Sequence, residues 1–172
     1  NYRRLGRSGL KVSELSFGSW VTYGNQVNTR AARELMAAAF DAGVTFFDTA
    51  DFYGLGRSER LIGEVFGNSP DVVVATKVGH RIAEDGSIYV DYSARYIREA
   101  CHASLQRLRR EAIDLYQLHS ARLAHLEQGE CIEAMERLRE EGLIRHWGLP
   151  LNPFSPGPEA DFLLVRGLGS GL

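Results

Sequence analysis

Residues 45–54 of the chain read TFFDTADFYG, and this stretch decides the fold. It opens with apolar and β-branched side chains, turns polar at Asp48 and reaches Tyr53 five residues later. An apolar run of this kind between two helical patterns is typical of a strand buried on both faces. We therefore predict a strand that ends in a carboxylate, with a phenol on the following loop. The plainer alternative is a helix cap and a packed aromatic, but two later strands also end in polar residues, Lys77 and His119.

Strand and helix patterns alternate along the whole chain, which predicts parallel strand pairing with right-handed crossovers. A β-hairpin comes first, turning near Gly9 and plugging or flanking the main body. Strands are predicted at 15–18, at 45–48, at 72–76, at 113–118 and at 143–149. Helices are predicted from Asn28 or Thr29 to Gly43, from Ser58 to Gly67, from about Ser93, around Ile132, Met135 and Leu138 up to Gly142, and at 156–166.

This alternation fits either a doubly wound sheet or a (β/α)₈ barrel. A dinucleotide-binding doubly wound sheet would carry Gly-x-Gly-x-x-Gly in its first strand-to-helix turn, and Gly18-Ser19-Trp20 does not match it. We therefore predict a barrel. A complete one needs about 250 residues and eight strand–helix units. Residues 1–172 supply about five, so we expect a single, C-terminally truncated domain. Either the missing part was removed, or another chain covers the open edge of the sheet, or the domain is only marginally stable.

The bulk composition is that of an ordinary globular domain. A formal net charge of −2 gives no electrostatic reason to expect nucleic acid or an anionic membrane as a partner. No apolar run is long enough to span a bilayer, and the N-terminus lacks the apolar core of a secretory signal. Cys101 and Cys131 lie on helical patterns without metal-binding spacing, so we predict buried thiols, no metal site and a reducing, cytoplasmic location.

In a parallel barrel the C-terminal ends of all strands meet at one mouth, so Asp48, Tyr53, Lys77 and His119 are predicted to converge. An ammonium beside a phenol lowers the pKa of the phenol, and a carboxylate keeps that ammonium charged and oriented. The phenol can then protonate an oxygen that gains negative charge, while a neutral imidazole donates a hydrogen bond to it. Each residue also has a simpler interpretation: a turn cap, a packed ring, a solvated charge and a structural histidine.

Several motifs resemble those of the aldo-keto reductases, and the resemblance extends over essentially the whole chain. They are FDTADFYG at 47–54 with Ser58-Glu59 after it, ATK at 75–77 and DLYQLH at 114–119. The segments RRLG at 3–6 and WVTYG at 20–24 are most similar to the branch that contains potassium-channel β-subunits and related bacterial reductases.

The resemblance implies a barrel that binds NADPH in an extended form, with Asp48, Tyr53, Lys77 and His119 as a catalytic tetrad. It also implies that Ser19, Trp20 and Gln26 lie against the cofactor and that Asp48 lies near the nicotinamide ribose. The chain departs from the family at Pro150, where a serine is usual, so one hydroxyl contact and one N–H are lost. Asn152 is the candidate to replace that contact.

The leading functional hypothesis is therefore an NADPH-dependent reductase of aldehydes or ketones, with Tyr53 as general acid and a small carbonyl compound as substrate. A cofactor-sensing regulatory subunit is the second hypothesis, and His119 argues against it because channel β-subunits resemble the tetrad less well there. A Schiff-base aldolase using Lys77 is the third, and a non-functional fragment is the fourth. The family's adenosine-phosphate loop and specificity loops have no counterpart in the sequence, so the substrate cannot be read from it.

Overall fold

The computed structural model describes residues 1–20 and 27–150, together with Pro158. Its main feature is a parallel sheet of five strands. The strands are β1 (Tyr2–Arg4), β2 (Lys11–Ser13), β3 (Ser16–Gly18), β4 (Phe46–Asp48), β5 (Val73–Val78), β6 (His80–Ile82), β7 (Ile88–Val90), β8 (Ile113–Leu118) and β9 (Ile144–Gly148). The helices are α1 (Thr29–Asp41), α2 (Arg57–Val65), α3 (Ala94–Leu108), α4 (Leu123–Gln128) and α5 (Glu130–Glu140).

The order of strands in the sheet follows the order along the chain. The sheet reads β3-β4-β5-β8-β9, and every neighbouring pair is parallel. A doubly wound sheet would reverse its strand order at a switch point, whereas a barrel adds each strand beside the last. The prediction of an incomplete α/β barrel is therefore confirmed. In the described part of the chain β3 and β9 each have one neighbour in this sheet, and a second copy covering these edges stays a prediction.

The N-terminal hairpin lies at the end of the barrel where the strands begin. Strands β1 and β2 pair in antiparallel fashion, as predicted. The backbone N–H of Ser13 donates to Oγ1 of Thr45, and the N–H of Thr45 donates to Oγ of Ser13, at 3.1 and 2.9 Å. Because Thr45 directly precedes β4, these two bonds attach the hairpin to the N-terminal end of the sheet. The predicted chemistry belongs at the opposite end.

Side-chain caps define the starts of two helices. Asn28 caps α1 by accepting from the N–H of Ala31, and Ser93 caps α3 in the same way. The predicted start of α2 at Ser58 is wrong by one residue, because the helix begins at Arg57 after Gly56, which has a left-handed backbone and no capping side chain. Ser58 instead lies inside the helix and is fully buried.

Two elements were not predicted. The polar segment after β5 contains the hairpin β6–β7, which turns through Asp85 and Gly86. Helix α4 is a single short helix after β8. The predicted helix at 156–166 lies outside the described residues except for Pro158, and so do two predicted cofactor contacts, Gln26 and Asn152.

The helices cover one face of the sheet, and the hydrophobic core lies between the helices and that face. The ring of Phe47 in β4 lies 4.6 Å from that of Phe66, at the end of α2, and Thr76 of β5 donates to Glu59 of α2. Cys101 and Cys131 are free and buried in this layer, as predicted. None of the helices in the described ranges is long and apolar enough to cross a membrane.

Candidate active site

Strand register places three of the predicted side chains on the face turned away from the helices. Asp48 pairs with Ala75, and Lys77 lies two residues beyond Ala75 on the same strand. Lys77 in turn pairs with Gln117, and His119 follows two residues later. Side chains paired across neighbouring strands share a face, and the period along a strand is two. Asp48, Lys77 and His119 therefore project toward the barrel interior at its C-terminal end.

Lys77 and Asp48 form the central ion pair of the site. The Lys77 ammonium donates to Oδ1 of Asp48 at 2.7 Å and to the carbonyl oxygen of Thr49, also at 2.7 Å. The side chain of Lys77 is 7% exposed, whereas that of Asp48 is 34% exposed. The carboxylate thus holds a buried cation in place and still has a side open to a ligand.

Tyr53 reaches this pair from the loop between β4 and α2. The Lys77 nitrogen lies 5.2 Å from the centroid of the Tyr53 ring, and the His119 ring stands edge-on to it with centroids 5.8 Å apart. Burial, followed by the charge of Asp48, raises the pKa of Tyr53 to about 12. The expected lowering of this pKa is therefore wrong, because burial and the charge of Asp48 outweigh any stabilisation of the phenolate by the Lys77 ammonium. The phenol keeps its proton at neutral pH and has it ready to donate.

His119 contacts a second histidine that the sequence analysis did not single out. Nδ1 of His119 lies 3.2 Å from Nδ1 of His80 in β6, and the ring centroids are 4.3 Å apart. Burial, the His80 ring and the charge of Lys77 together lower the pKa of His119 to about 4. The imidazole is therefore neutral at physiological pH, as the proposed chemistry requires. The signal that could have identified His80 was the Asp85-Gly86 turn, which is typical of a hairpin folding back over the strand end.

Besides Asp48, two predicted cofactor contacts, Ser19 and Trp20, lie in the described residues, at the end of β3. Ser19 is buried, and both its N–H and its hydroxyl donate to the carbonyl oxygen of Asp48 at 3.0 Å. These two bonds join the end of β3 to the end of β4. Trp20 beside it is 73% exposed, an unusual degree for so large an aromatic. Pro150 follows β9 and is half-buried.

The other polar residues of this motif, Thr49, Ser58 and Glu59, stabilise the loop that carries Tyr53 from the side of the helices. Thr49 donates to Oγ of Ser58 at 2.8 Å. Glu59, with no exposed surface, accepts from Thr76 and from Arg107, each at 2.6 Å. These contacts tie β4, β5, α2 and α3 together directly beneath the site, so Ser58 and Glu59 act within the framework and do not face the mouth.

Relatives among curated proteins share this part of the molecule. The chain is 41% identical over 150 residues to an uncharacterized oxidoreductase of Bacillus subtilis, YqkF, covering 86% of this chain and 47% of that protein. It is 38% identical over 153 residues to a probable voltage-gated potassium channel β-subunit of rice, covering 86% of this chain and 45% of that protein. The chain thus spans about half the length of these relatives. The predicted resemblance to the branch that contains channel β-subunits and related bacterial reductases is confirmed.

Solved structures give the same result. The holo form of an aldo-keto reductase from Bacillus halodurans superposes with a TM-score of 0.77 at 41% identity, covering 86% of this chain and 49% of that one. An aldo-keto reductase from Klebsiella pneumoniae in complex with NADPH superposes with a TM-score of 0.69 at 27% identity, covering 86% and 49%. A profile of the aldo/keto reductase family matches residues 14–153. The chain therefore belongs to the aldo/keto reductase family.

Proposed function

We propose that this chain carries the catalytic residues of an NADPH-dependent reductase of aldehydes or ketones. The observation that supports this most directly is the buried Lys77–Asp48 ion pair, which lies beneath the Tyr53 ring and beside a neutral His119. An acid, a hydrogen-bond donor and a fixed charge pair at the mouth of a barrel are what carbonyl reduction requires of a protein. An aldolase using Lys77 as a nucleophile is disfavoured, since the Lys77 nitrogen is buried and already bonded to Asp48 and to the carbonyl oxygen of Thr49.

The proton and the hydrogen bond come from different residues. Tyr53 donates its phenolic proton to the carbonyl oxygen as that oxygen gains charge. His119 donates an N–H to the same oxygen and fixes its position. The raised pKa of Tyr53, about 12, keeps the phenol protonated across the physiological range, so the acid is present whenever a substrate arrives. The ammonium of Lys77 stabilises the phenolate that remains after transfer.

The residues at the ends of β3 and β4 fit a nicotinamide dinucleotide. Trp20 offers an exposed aromatic surface for a planar ring, and the open side of the Asp48 carboxylate can accept from a ribose hydroxyl. A bound NADPH supplies the hydride. The Klebsiella relative was crystallised with NADPH, which supports this choice of cofactor. Gln26 and Asn152 remain proposed contacts on family resemblance alone.

Removing the phenolic hydroxyl tests the proposal. In the protein that carries this sequence, Tyr53→Phe should lower kcat for benzaldehyde reduction by about 10²–10⁴-fold, because one general acid is lost. NADPH binding, followed by cofactor fluorescence, should change little. The matched control is Tyr2→Phe, which removes a hydroxyl in the hairpin at the opposite end of the barrel. Turnover by Tyr53→Phe at the rate of this control would refute the assignment.

The similarity to channel β-subunits favours a second candidate, a regulatory subunit that binds NADPH and reduces carbonyls slowly or not at all. The two candidates differ in one measurement. An enzyme reduces benzaldehyde many times per protein molecule at steady state and consumes one NADPH in each turnover. A regulatory subunit binds NADPH with similar affinity but gives at most a single slow turnover. In either case we propose a cytoplasmic location, which two buried unpaired cysteines support.

A further inference from the structure

The contact between His80 and His119 joins two nitrogens that titrate. Their Nδ1 atoms are 3.2 Å apart, within hydrogen-bonding distance. A hydrogen bond there needs a proton on one Nδ1 and a lone pair on the other. The contact therefore couples the proton positions of the two rings, and the tautomer of one decides that of the other.

Both rings are neutral near pH 7. Burial lowers the pKa of His80, and burial, His80 and Lys77 lower the pKa of His119. The other charged or titratable groups near His119 are Tyr53, which keeps its proton, and Lys77, which is paired with Asp48. On the other side of His80, Asp51, Arg81 and Tyr96 line the same cavity. Two arrangements of neutral rings are possible. In the first, His80 donates its Nδ1–H to Nδ1 of His119, and the His119 proton is on Nε2. In the second, His119 donates its Nδ1–H to Nδ1 of His80, and Nε2 of His119 carries no proton.

Contacts with neighbouring residues hold the His80 ring in a fixed position relative to His119, so His80 can determine the tautomer of His119. Gly79, at φ +139°, redirects the chain after β5, and a Cβ at that position would lie 2.3 Å from the ring of Tyr92. The hydroxyl of Tyr92 donates to the carbonyl oxygen of His119 at 2.5 Å. The ring of Phe52 packs against that of His80 with centroids 5.4 Å apart. The same local structure thus fixes both histidines relative to each other.

We propose that His80 is a positioning residue that donates its Nδ1–H to Nδ1 of His119 and so keeps the His119 proton on Nε2. This inference rests on the proposed reduction, in which His119 must donate a hydrogen bond to the carbonyl oxygen. His80 lines an open cavity of about 650 Å³ with Asp51 and Arg81, where water can bond its bare Nε2. With the opposite arrangement, His119 would present a lone pair to the carbonyl oxygen and repel it.

Nitrogen-15 spectra of histidine-labelled protein at pH 9, above the ordinary titration range of imidazole, read the tautomers directly. We expect the proton of His119 on Nε2 and that of His80 on Nδ1, with signals assigned by their loss in His119→Gln and His80→Asn. Asn and Asp have nearly the same size and shape. Comparing His80→Asn with His80→Asp therefore separates the effect of hydrogen-bond donation from the effect of packing. An Asn amide can still donate to Nδ1 of His119, whereas an Asp carboxylate only accepts and should move the His119 proton to Nδ1.

The kinetic comparison uses the same two variants with NADPH and benzaldehyde at pH 9. His80→Asn should keep kcat within a few-fold, and His80→Asp should lose about 10²–10³-fold, the usual effect of losing one oxyanion donor. The KM for NADPH should be similar in both. A His119 proton on Nδ1 in the unmodified protein, or equal losses of kcat in the two variants, would overturn the proposal. If the spectra show the expected tautomers but the protein reduces no carbonyl compound, the positioning role of His80 stands and the proposed reduction is refuted.

Discussion

The two members of the central ion pair should differ sharply in what their removal costs. Lys77 is 7% exposed and Asp48 is 34% exposed, with 2.7 Å between the ammonium and Oδ1. Asp48→Asn leaves a buried ammonium with a neutral neighbour. Lys77→Met leaves a carboxylate that water can reach. Both changes remove the same ion pair. They differ in the charge that is left behind, and Lys77→Met also removes the hydrogen bond to the carbonyl oxygen of Thr49.

Breaking a fully buried ion pair by removing one partner costs about 3–5 kcal/mol. In Asp48→Asn the ammonium still donates to the carbonyl oxygen of Thr49, and the new amide oxygen can accept. We therefore expect a loss of ~2–3 kcal/mol in the free energy of unfolding, somewhat below that range. In Lys77→Met the exposed carboxylate is hydrated, and the loss should be ~1 kcal/mol, the net value of one hydrogen bond. The double variant should be more stable than Asp48→Asn alone.

Urea unfolding followed by tryptophan fluorescence measures these differences, since Trp147 is buried in the core. An unchanged m-value shows that the variants unfold to the same extent. Arg30→Met is the matched control, because its ion pair with Glu34 is exposed and should contribute less than ~1 kcal/mol. If Lys77→Met proves more destabilising than Asp48→Asn, or if the two losses add in the double variant, the role assigned to burial here is wrong.

Two further predictions concern the framework around the site. Burial raises the pKa of Asp51 from 3.8 to about 7, so between these values the folded chain holds a proton that the unfolded chain releases, and the contribution of Asp51 to stability falls as pH rises. His119, whose pKa is lowered to about 4, contributes a slope of the opposite sign. Asp51→Asn should therefore make the slope of the unfolding free energy against pH more positive between about pH 4 and 7 in urea unfolding; an unchanged slope would contradict this. Gly79→Ala should destabilise the protein by more than ~3 kcal/mol, because its Cβ would overlap Tyr92, whereas Gly86→Ala, also at positive φ but in open space, should cost only ~1 kcal/mol in the same assay.

Local patterns predicted most of the elements correctly. The caps Asn28 and Ser93 mark helix starts because their side chains bond the first free N–H groups, an effect confined to one turn. The hairpin β6–β7 was missed because each of its strands is only three residues long, which is too short to show the alternation that marks a strand. Ser58 was predicted to start a helix, whereas its hydroxyl is buried inside the protein and accepts a hydrogen bond from Thr49.

The sequence by itself determined the barrel and the end of it that carries the polar residues, because alternation and polar strand ends are properties of single segments. The tertiary structure alone decided how those residues act on one another. Strand register placed Lys77 where it forms an ion pair with Asp48, and burial raised the pKa of Tyr53. The hairpin β6–β7 brought His80 into contact with His119. Distances and desolvation depend on segments far apart in the chain, and no local pattern encodes them.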